Sequence, residues 1–204
     1  MEKDSVPERD VIVVGASTGG VEAVPKLMRE LPADLPVAVL VAIPAAPHIP
    51  YLLTAILNKT SAIPAHQAEH GEFIERGHIY VAPPDRHLKI WDERVYLDHG
   101  PRENRHRPAI DALFRSAAAD FGPRVVGVIL SGSLDDGTAG LQAIKANGGI
   151  AIVQEPSEAL LPQMPEFARS HAGVDYCLPL VEIGKVLIQL GEPKGQHQCC
   201  LQAD

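Results

Sequence analysis

The sequence predicts a single doubly wound α/β domain: a mostly parallel sheet with helices on both faces and a small antiparallel hairpin insertion. Short apolar runs of strand length alternate along the chain with stretches whose apolar residues recur at helical spacing. Strands that alternate with helices favour a parallel sheet with right-handed crossovers. The length of 204 residues suffices for one well-buried domain of this kind.

The elements follow from these patterns in chain order. The predicted buried strands are 11–14, 37–43, 125–130 and 150–154, with a short strand near 175–178. The predicted helices are 21–31, 50–57, 108–121, a small-residue helix ending at Ala146, 164–171 and 180–190. Three short runs with alternating character, 78–82, 87–91 and 94–97, indicate a local antiparallel hairpin or edge meander. We therefore expect a folded domain over 11–190, between a disordered tail at 1–10 and a flexible tail at 191–204.

Charge and hydropathy exclude several classes of partner. The formal net charge of −8 makes nucleic acid and anionic membrane surfaces poor partners. The N-terminus has no apolar signal region, and the longest apolar stretch, 37–47, is too short for membrane insertion. The three cysteines form no disulfide framework and the histidines lack metal-ligand spacing, so we expect no metal and no cofactor. These features predict a cytoplasmic protein.

A glycine-rich turn, Gly-Ala-Ser-Thr-Gly-Gly at 15–20, follows the first predicted strand. Such a turn can lift the Ser17 hydroxyl above the edge of the sheet, and the Thr18 N–H at the helix N-terminus can stabilise an oxyanion. The same pattern is typical of an anion-binding turn and of a purely structural turn. The local pattern leaves these three interpretations open.

A second polar turn, 131–137, follows the third buried strand and ends in Asp135-Asp136-Gly137. Because the carboxyl ends of parallel strands lie along one edge, this turn should face the same crevice as Ser17. Asp136 is placed either to cap the following helix or to serve as a catalytic acid, and Asp135 competes for both roles.

Several segments together resemble the catalytic domain of the CheB family of protein-glutamate methylesterases. The matching segments, in family order over about residues 11 to 185, are Val14–Gly20, Tyr80–Pro83, Arg86–Leu88, Asn104–Pro108, Leu113–Ala117, Gly127–Leu130, Asp135–Gly137, Gly140–Leu141 and Met164–Pro165. The resemblance implies hydrolysis of glutamyl methyl esters on the cytoplasmic helices of methylated chemotaxis receptors, and in many members deamidation of receptor glutamines. It implies Ser17 as nucleophile, the Thr18 N–H as oxyanion donor and Asp136 as the acid of a Ser-His-Asp triad. Asn104, Arg105, His106 and Met164 are implied as residues of the substrate cleft.

The chain departs from the family pattern at the base of that triad. The family's histidine ends the second strand, and Ala42 stands at the matching position in Val41-Ala42-Ile43-Pro44. A serine hydroxyl is a weak nucleophile without a base, so we expect very low activity from this chain. His48 and His106 are the candidates for a substitute base.

Two further departures bear on substrate and control. Ser133-Leu134 stands where the family often has Met-Gly, which changes the lip of the cleft. Only ten residues precede the first predicted strand, so we expect a stand-alone domain without the family's N-terminal receiver domain. The alternatives to a methylesterase are a non-catalytic module that binds receptors or other partners, and a nucleotide- or phosphate-binding α/β domain.

Overall fold

The computed structural model describes residues 8–44 and 49–192. Its strands are β1 (Val11–Gly15), β2 (Ala38–Ala42), β3 (Ala65–Gln67), β4 (His78–Val81), β5 (His87–Trp91), β6 (Arg94–Asp98), β7 (Val125–Ile129), β8 (Ile150–Gln154) and β9 (Tyr176–Leu178). Its α-helices are α1 (Gly20–Arg29), α2 (Ile49–Thr60), α3 (Ile110–Phe121), α4 (Thr138–Ala146), α5 (Gln163–His171) and α6 (Leu180–Gly191), and a 3₁₀ turn spans Gly122–Arg124.

Seven strands form one parallel sheet in the order β3-β4-β2-β1-β7-β8-β9, and β5 and β6 form a separate antiparallel hairpin. The predicted fold class is thereby confirmed. The central strands β1, β2 and β7 are buried along their whole length, as their continuous apolar runs require of strands covered on both faces.

Alternate residues of each strand pack against different sets of helices. On β2, Ala38, Leu40 and Ala42 share a core with α3, α4, α5 and the hairpin, whereas Val39 and Val41 share the other core with α1, α2 and α6. This period of two assigns each strand residue to one face. Ala42 therefore points toward the face that carries α3.

The prediction for the middle of the chain was wrong in one respect. The run 78–82 does not belong to an antiparallel meander, because β4 pairs in parallel with both β2 and β3. The three-residue edge strand β3 was missed, since so short a run has no readable period. Only the runs 87–91 and 94–97 form the predicted hairpin.

The amino-terminal edge of the sheet is held by a buried carboxylate. Asp10, assigned above to the N-terminal tail, is 1% exposed and accepts hydrogen bonds from Arg76 and Arg124. Burial alone would raise the pKa of Asp10, but the hydrogen bonds and charges of Arg124 and Arg76 outweigh it and lower the pKa. None of the described helices is long and apolar enough to cross a membrane.

Candidate active site

The Ser17 turn lies at the carboxyl edge of the sheet, between β1 and α1. Its shape is fixed by main-chain bonds: the Ser17 N–H donates to the Ser131 carbonyl at 3.0 Å, and the Gly20 N–H donates to the Ser17 carbonyl at 2.8 Å. Gly19 precedes α1 with a φ of 88°, a left-handed conformation that glycine adopts without strain. Ser17 is half-buried, and within the described ranges its hydroxyl has no hydrogen-bonding partner.

Ser131 fixes the next peptide of the turn, a role that the sequence did not indicate. Its hydroxyl donates to the Thr18 carbonyl at 2.9 Å and accepts from the Leu161 N–H at 2.9 Å. The Thr18 N–H itself donates to no acceptor in the part of the chain that the structure describes. Thr18 is exposed, so the Ser17 turn carries a main-chain donor without a partner on an accessible residue.

Asp136 is a buried carboxylate, 2% exposed, that joins two loops to one helix. Its oxygens accept from the Ile110 N–H at 2.9 Å, the Asp111 N–H at 3.1 Å and the Asn104 side-chain amide at 2.8 Å. The first two donors open α3, so Asp136 caps that helix across 25 residues or more of sequence.

Of the two roles left open for Asp136 and Asp135, the structure does not show a cap on the following helix. The residue that precedes α4 is Gly137, with a φ of 95° and no side-chain cap. Instead, the Asp111 carboxylate accepts from the Gly140 N–H in the first turn of α4 at 2.6 Å. Asp136, which precedes α4, thus caps α3, and Asp111, which lies in α3, caps α4. This exchange is possible because α3 and α4 pack together at their N-terminal ends.

The surroundings of Asp136 shift its pKa upward. Burial is the largest cause, and the nearby Asp111 carboxylate adds to it. The hydrogen bonds from Ile110, Asn104 and Asp111 oppose the shift, because they favour the charged form. Within the fold, Asp136 therefore holds a proton more readily than a carboxylate in water.

Ala42 ends β2, the strand next to the one that leads into the Ser17 turn. It lies beside Gly15 in the parallel register, and its carbonyl accepts from the Ala16 N–H at 3.3 Å. Gly15 has room for no side chain, since an added Cβ would lie 2.3 Å from the Ile110 Cγ2. Ile110 therefore packs directly over the end of β1, and its N–H holds Asp136. Position 42 lies beside Gly15 on the neighbouring strand, at the interstrand spacing of about 4.8 Å, and on the face that carries α3, whose first N–H groups bind Asp136.

The remaining predicted cleft residues separate into different roles. The Asn104 amide, at 2.8 Å from both Asp136 and Asp111, bridges the two buried carboxylates. Arg105 is exposed on the same loop. His106 is half-buried, and in the described part of the chain its imidazole makes no hydrogen bond to Ser17 or Asp136.

Met164, predicted as a cleft residue, is a buried side chain close to Ser17. A Cβ added to Gly132 would lie 2.6 Å from the Met164 methyl group and 3.1 Å from the Ser17 Cβ. The lack of a side chain at Gly132 therefore lets Met164 and Ser17 both pack against this residue. His48, the other candidate for a substitute base, lies outside the described residues, as do Cys199 and Cys200.

A serine on a strand-to-helix turn of a doubly wound sheet, beside a free main-chain donor and near a buried acid, is the arrangement of the α/β hydrolytic enzymes. Comparison with known proteins agrees with this class. The CheB methylesterase family matches residues 12–187. The crystal structure of the Thermotoga maritima CheB methylesterase catalytic domain superposes with a TM-score of 0.85 at 31% identity, covering 90% of this chain and 100% of that one.

Curated relatives carry the same description. A protein-glutamate methylesterase/protein-glutamine glutaminase of Geobacter metallireducens is 39% identical over 92% of this chain and 52% of its own length. A putative one of Leptospira interrogans is 36% identical over 90% of this chain and 95% of its own length. The chain belongs to the CheB methylesterase family, and it spans about half the length of most of these curated relatives.

Proposed function

We propose that the chain is a protein-glutamate methylesterase domain that acts on methylated chemotaxis receptors and whose hydrolysis is very slow because Ala42 occupies the position of the base. Family membership and the names of the relatives support the reaction class. One observation supports the low rate: position 42 lies on the strand next to β1, on the face that carries α3 and its cap Asp136, and its side chain is an alanine methyl group.

The reaction needs each of these groups at one step. The Ser17 Oγ attacks the ester carbonyl carbon, forming the acyl-enzyme bond, and the C–OCH₃ bond breaks to release methanol. Water then cleaves the acyl-enzyme and leaves a free glutamate. The Thr18 N–H would hold the oxyanion formed at each attack. A glutamine side chain would follow the same course with ammonia as the leaving group.

The group that this mechanism lacks is a base at position 42 to accept the proton of the Ser17 hydroxyl. The serine proton must move to a base and from it to the departing methoxide, and an alanine side chain does neither. In a serine protease the loss of the histidine costs about 10⁶-fold in turnover, almost as much as the loss of the whole triad. Asp136 is committed to capping α3 and has no hydrogen bond to Ser17 within the described residues.

The direct test is labelling of Ser17 by a fluorophosphonate probe in the chain as it stands and in Ala42→His. We expect labelling only in Ala42→His. Ala42→Gln is the matched control, because glutamine is similar in size and can hydrogen-bond but is no base. Ser17→Ala in the Ala42→His background must abolish labelling. Labelling of the unmodified chain would show that another base activates Ser17, which contradicts the proposed role of position 42.

A second function, a module that binds receptors without hydrolysing them, is favoured by one observation. The unpartnered Ser17 hydroxyl and the alanine at position 42 leave the cleft in place without a proton carrier. Capture of a receptor cytoplasmic fragment by the chain, combined with no labelling of Ala42→His, would support this function over the first. Absence of binding would exclude it.

A further inference from the structure

Three exposed arginines lie on the loops after β4 and β6, and one of them, Arg102, adds at longer range to the Arg107 hydrogen bond that lowers the pKa of Asp85. Arg86, Arg102 and Arg105 are exposed and, in the part of the chain that the structure describes, make no hydrogen bond and no ion pair. The segments 85–86 and 99–107 carry four arginines against two carboxylates. This is a local excess of positive charge on a chain whose formal net charge is −8.

The fourth arginine, Arg107, holds together the two loops that carry the other three. The Arg107 guanidinium donates to the Asp85 carboxylate at 2.8 Å and to the carbonyls of His99 and Gly100 at 3.0 and 2.8 Å. It therefore ties the loop after β4 to both ends of the loop after β6. In sequence, Arg86 follows Asp85, Arg102 lies two residues after Gly100, and Arg105 lies two residues before Arg107.

A buried histidine fastens the same loop to the core. The His87 ring is fully buried, with Nε2 2.9 Å from the Pro101 carbonyl and Nδ1 accepting from the Ala109 N–H at 3.3 Å. The ring therefore holds both ends of the segment that carries Arg102 and Arg105. This segment does not need to be ordered by a ligand to present its charges.

The surface is continuous with the candidate site. The Asn104 side-chain amide, between Arg102 and Arg105 in sequence, donates to Asp136 at 2.8 Å. The loop of Arg86 leaves the carboxyl end of β4, and β4 pairs with β2, which ends at Ala42. Because carboxyl ends of parallel strands share one edge, Arg86 belongs to the same edge as position 42.

We propose that Arg86, Arg102 and Arg105 form a basic entrance to the Ser17 site that binds the carboxylates of an acidic helical segment of the protein substrate. The inference rests on the proposed function, and it adds the charge of the residues that flank the target glutamate. An acidic protein segment fits better than nucleic acid. Asp85 and Glu103 interrupt the arginines, which suits separate carboxylates better than a continuous phosphate backbone, and the segments 85–86 and 99–107 contain no phenylalanine, tyrosine or tryptophan for base stacking.

Binding can be measured without hydrolysis. The probe is a fluorescein-labelled, alanine-based helical peptide with glutamates along one face, and its control is the same helix with glutamines. The variant is the triple substitution Arg86→Glu, Arg102→Glu and Arg105→Glu. The matched triple Lys26→Glu, Arg29→Glu and Lys59→Glu makes the same change in net charge on exposed residues of α1 and α2, in the last turns that lead away from this edge.

We expect anisotropy titrations to show preference for the glutamate helix, loss of about tenfold or more in affinity in the entrance triple, and weakening of the native interaction by salt. The matched triple should retain the affinity within about twofold, since its charges lie in the last turns of α1 and α2, away from the carboxyl edge, and salt screens charges over a Debye length of about 10 Å. Equal losses in the two triples, or tighter binding of a single-stranded oligonucleotide than of the glutamate helix, would overturn the proposal.

The catalytic readout separates this proposal from the proposed function. In the Ala42→His background, the entrance triple should raise KM for a methylated receptor fragment, whereas the matched triple should leave KM within about twofold. Unchanged KM would overturn the entrance. Failure of Ala42→His to label, with binding of the glutamate helix still dependent on the arginines, would overturn the hydrolytic function and leave the acidic-segment surface standing.

Discussion

The carboxylate end and the hydroxyl end of the candidate site are built in opposite ways. Asp136 is buried and accepts three hydrogen bonds, two of which cap a helix. Ser17 is half-buried, and within the described part of the chain its hydroxyl contacts no polar partner. The fold therefore needs Asp136 whether or not the chain hydrolyses an ester, whereas it does not need the Ser17 hydroxyl. The presence of Asp136 is therefore weak support for catalysis, and a test of catalysis must change Ser17 or position 42.

The largest expected effect comes from introducing the proposed base at position 42. Ala42→His should raise methanol release from a methylated receptor fragment by about 10³-fold or more, a conservative part of the roughly 10⁶-fold that a triad histidine contributes. Ala42→Gln should give no such gain. Because the site is fully buried, overpacking is expected to cost about 1–3 kcal/mol of unfolding free energy in both variants, so a urea titration must accompany the rates. A rate for Ala42→His no higher than for Ala42→Gln would show that position 42 is not the lesion.

Removal of the Asp136 carboxylate should lower the free energy of unfolding far more than removal of the Ser17 hydroxyl. Asp136→Ala leaves the main-chain donors of Ile110 and Asp111 buried without their acceptor, and each such loss costs about 1–3 kcal/mol. We expect a loss of about 2–4 kcal/mol in the free energy of unfolding, measured by urea titration. Ser17→Ala should change it by less than about 0.5 kcal/mol, as is usual where no specific contact is lost. Similar losses in the two variants would contradict the division of roles.

Two buried carboxylates should give opposite pH dependences. The lowered pKa of Asp10 stabilises the fold above the ordinary value of 3.8, and this contribution is lost as pH falls through the folded-state pKa. The raised pKa of Asp136 gives a contribution that is present below 3.8 and is lost as pH rises through the folded-state pKa.

The measurement is the urea midpoint across the acid range for the chain, Asp10→Asn and Asp136→Asn. The advantage of the chain over Asp10→Asn should shrink as the pH falls. Its advantage over Asp136→Asn should shrink as the pH rises above 3.8. The same sign of pH dependence in both comparisons would show that burial does not dominate at Asp136.

The smallest effect is expected at the bridge between the two aspartates. Asn104→Ala removes the shared amide donor and leaves the cross-capping main-chain bonds in place. We expect a loss of about 1 kcal/mol in the free energy of unfolding, the usual net value of one hydrogen bond. Asn104→Asp is the informative partner variant, because a third carboxylate there should destabilise more than alanine does. If Asn104→Ala destabilised the fold as much as Asp136→Ala, the amide of the loop would matter as much as the main-chain bonds from α3, which contradicts the capping role of Asp136.

The sequence by itself determined the fold class and most of the elements, because buried strands and amphipathic helices leave periods that can be read locally. The central strands and the hairpin at 87–97 were predicted on this basis. The edge strand β3 was not, since its three residues are too few for a period. The run 78–82 was assigned to the wrong sheet, because its alternating pattern indicates a strand but not its partner.

The sequence also singled out Ser17, Ala42 and Asp136 by resemblance, but only the tertiary structure decided how they relate. Register places Ala42 beside Gly15, and packing of Ile110 over Gly15 brings Asp136 to the same face. The cap that Asp136 provides joins residues 25 or more positions apart, so no local spacing could indicate it. Local patterns report how each segment meets the core, whereas hydrogen bonds between distant segments exist only after the chain has packed.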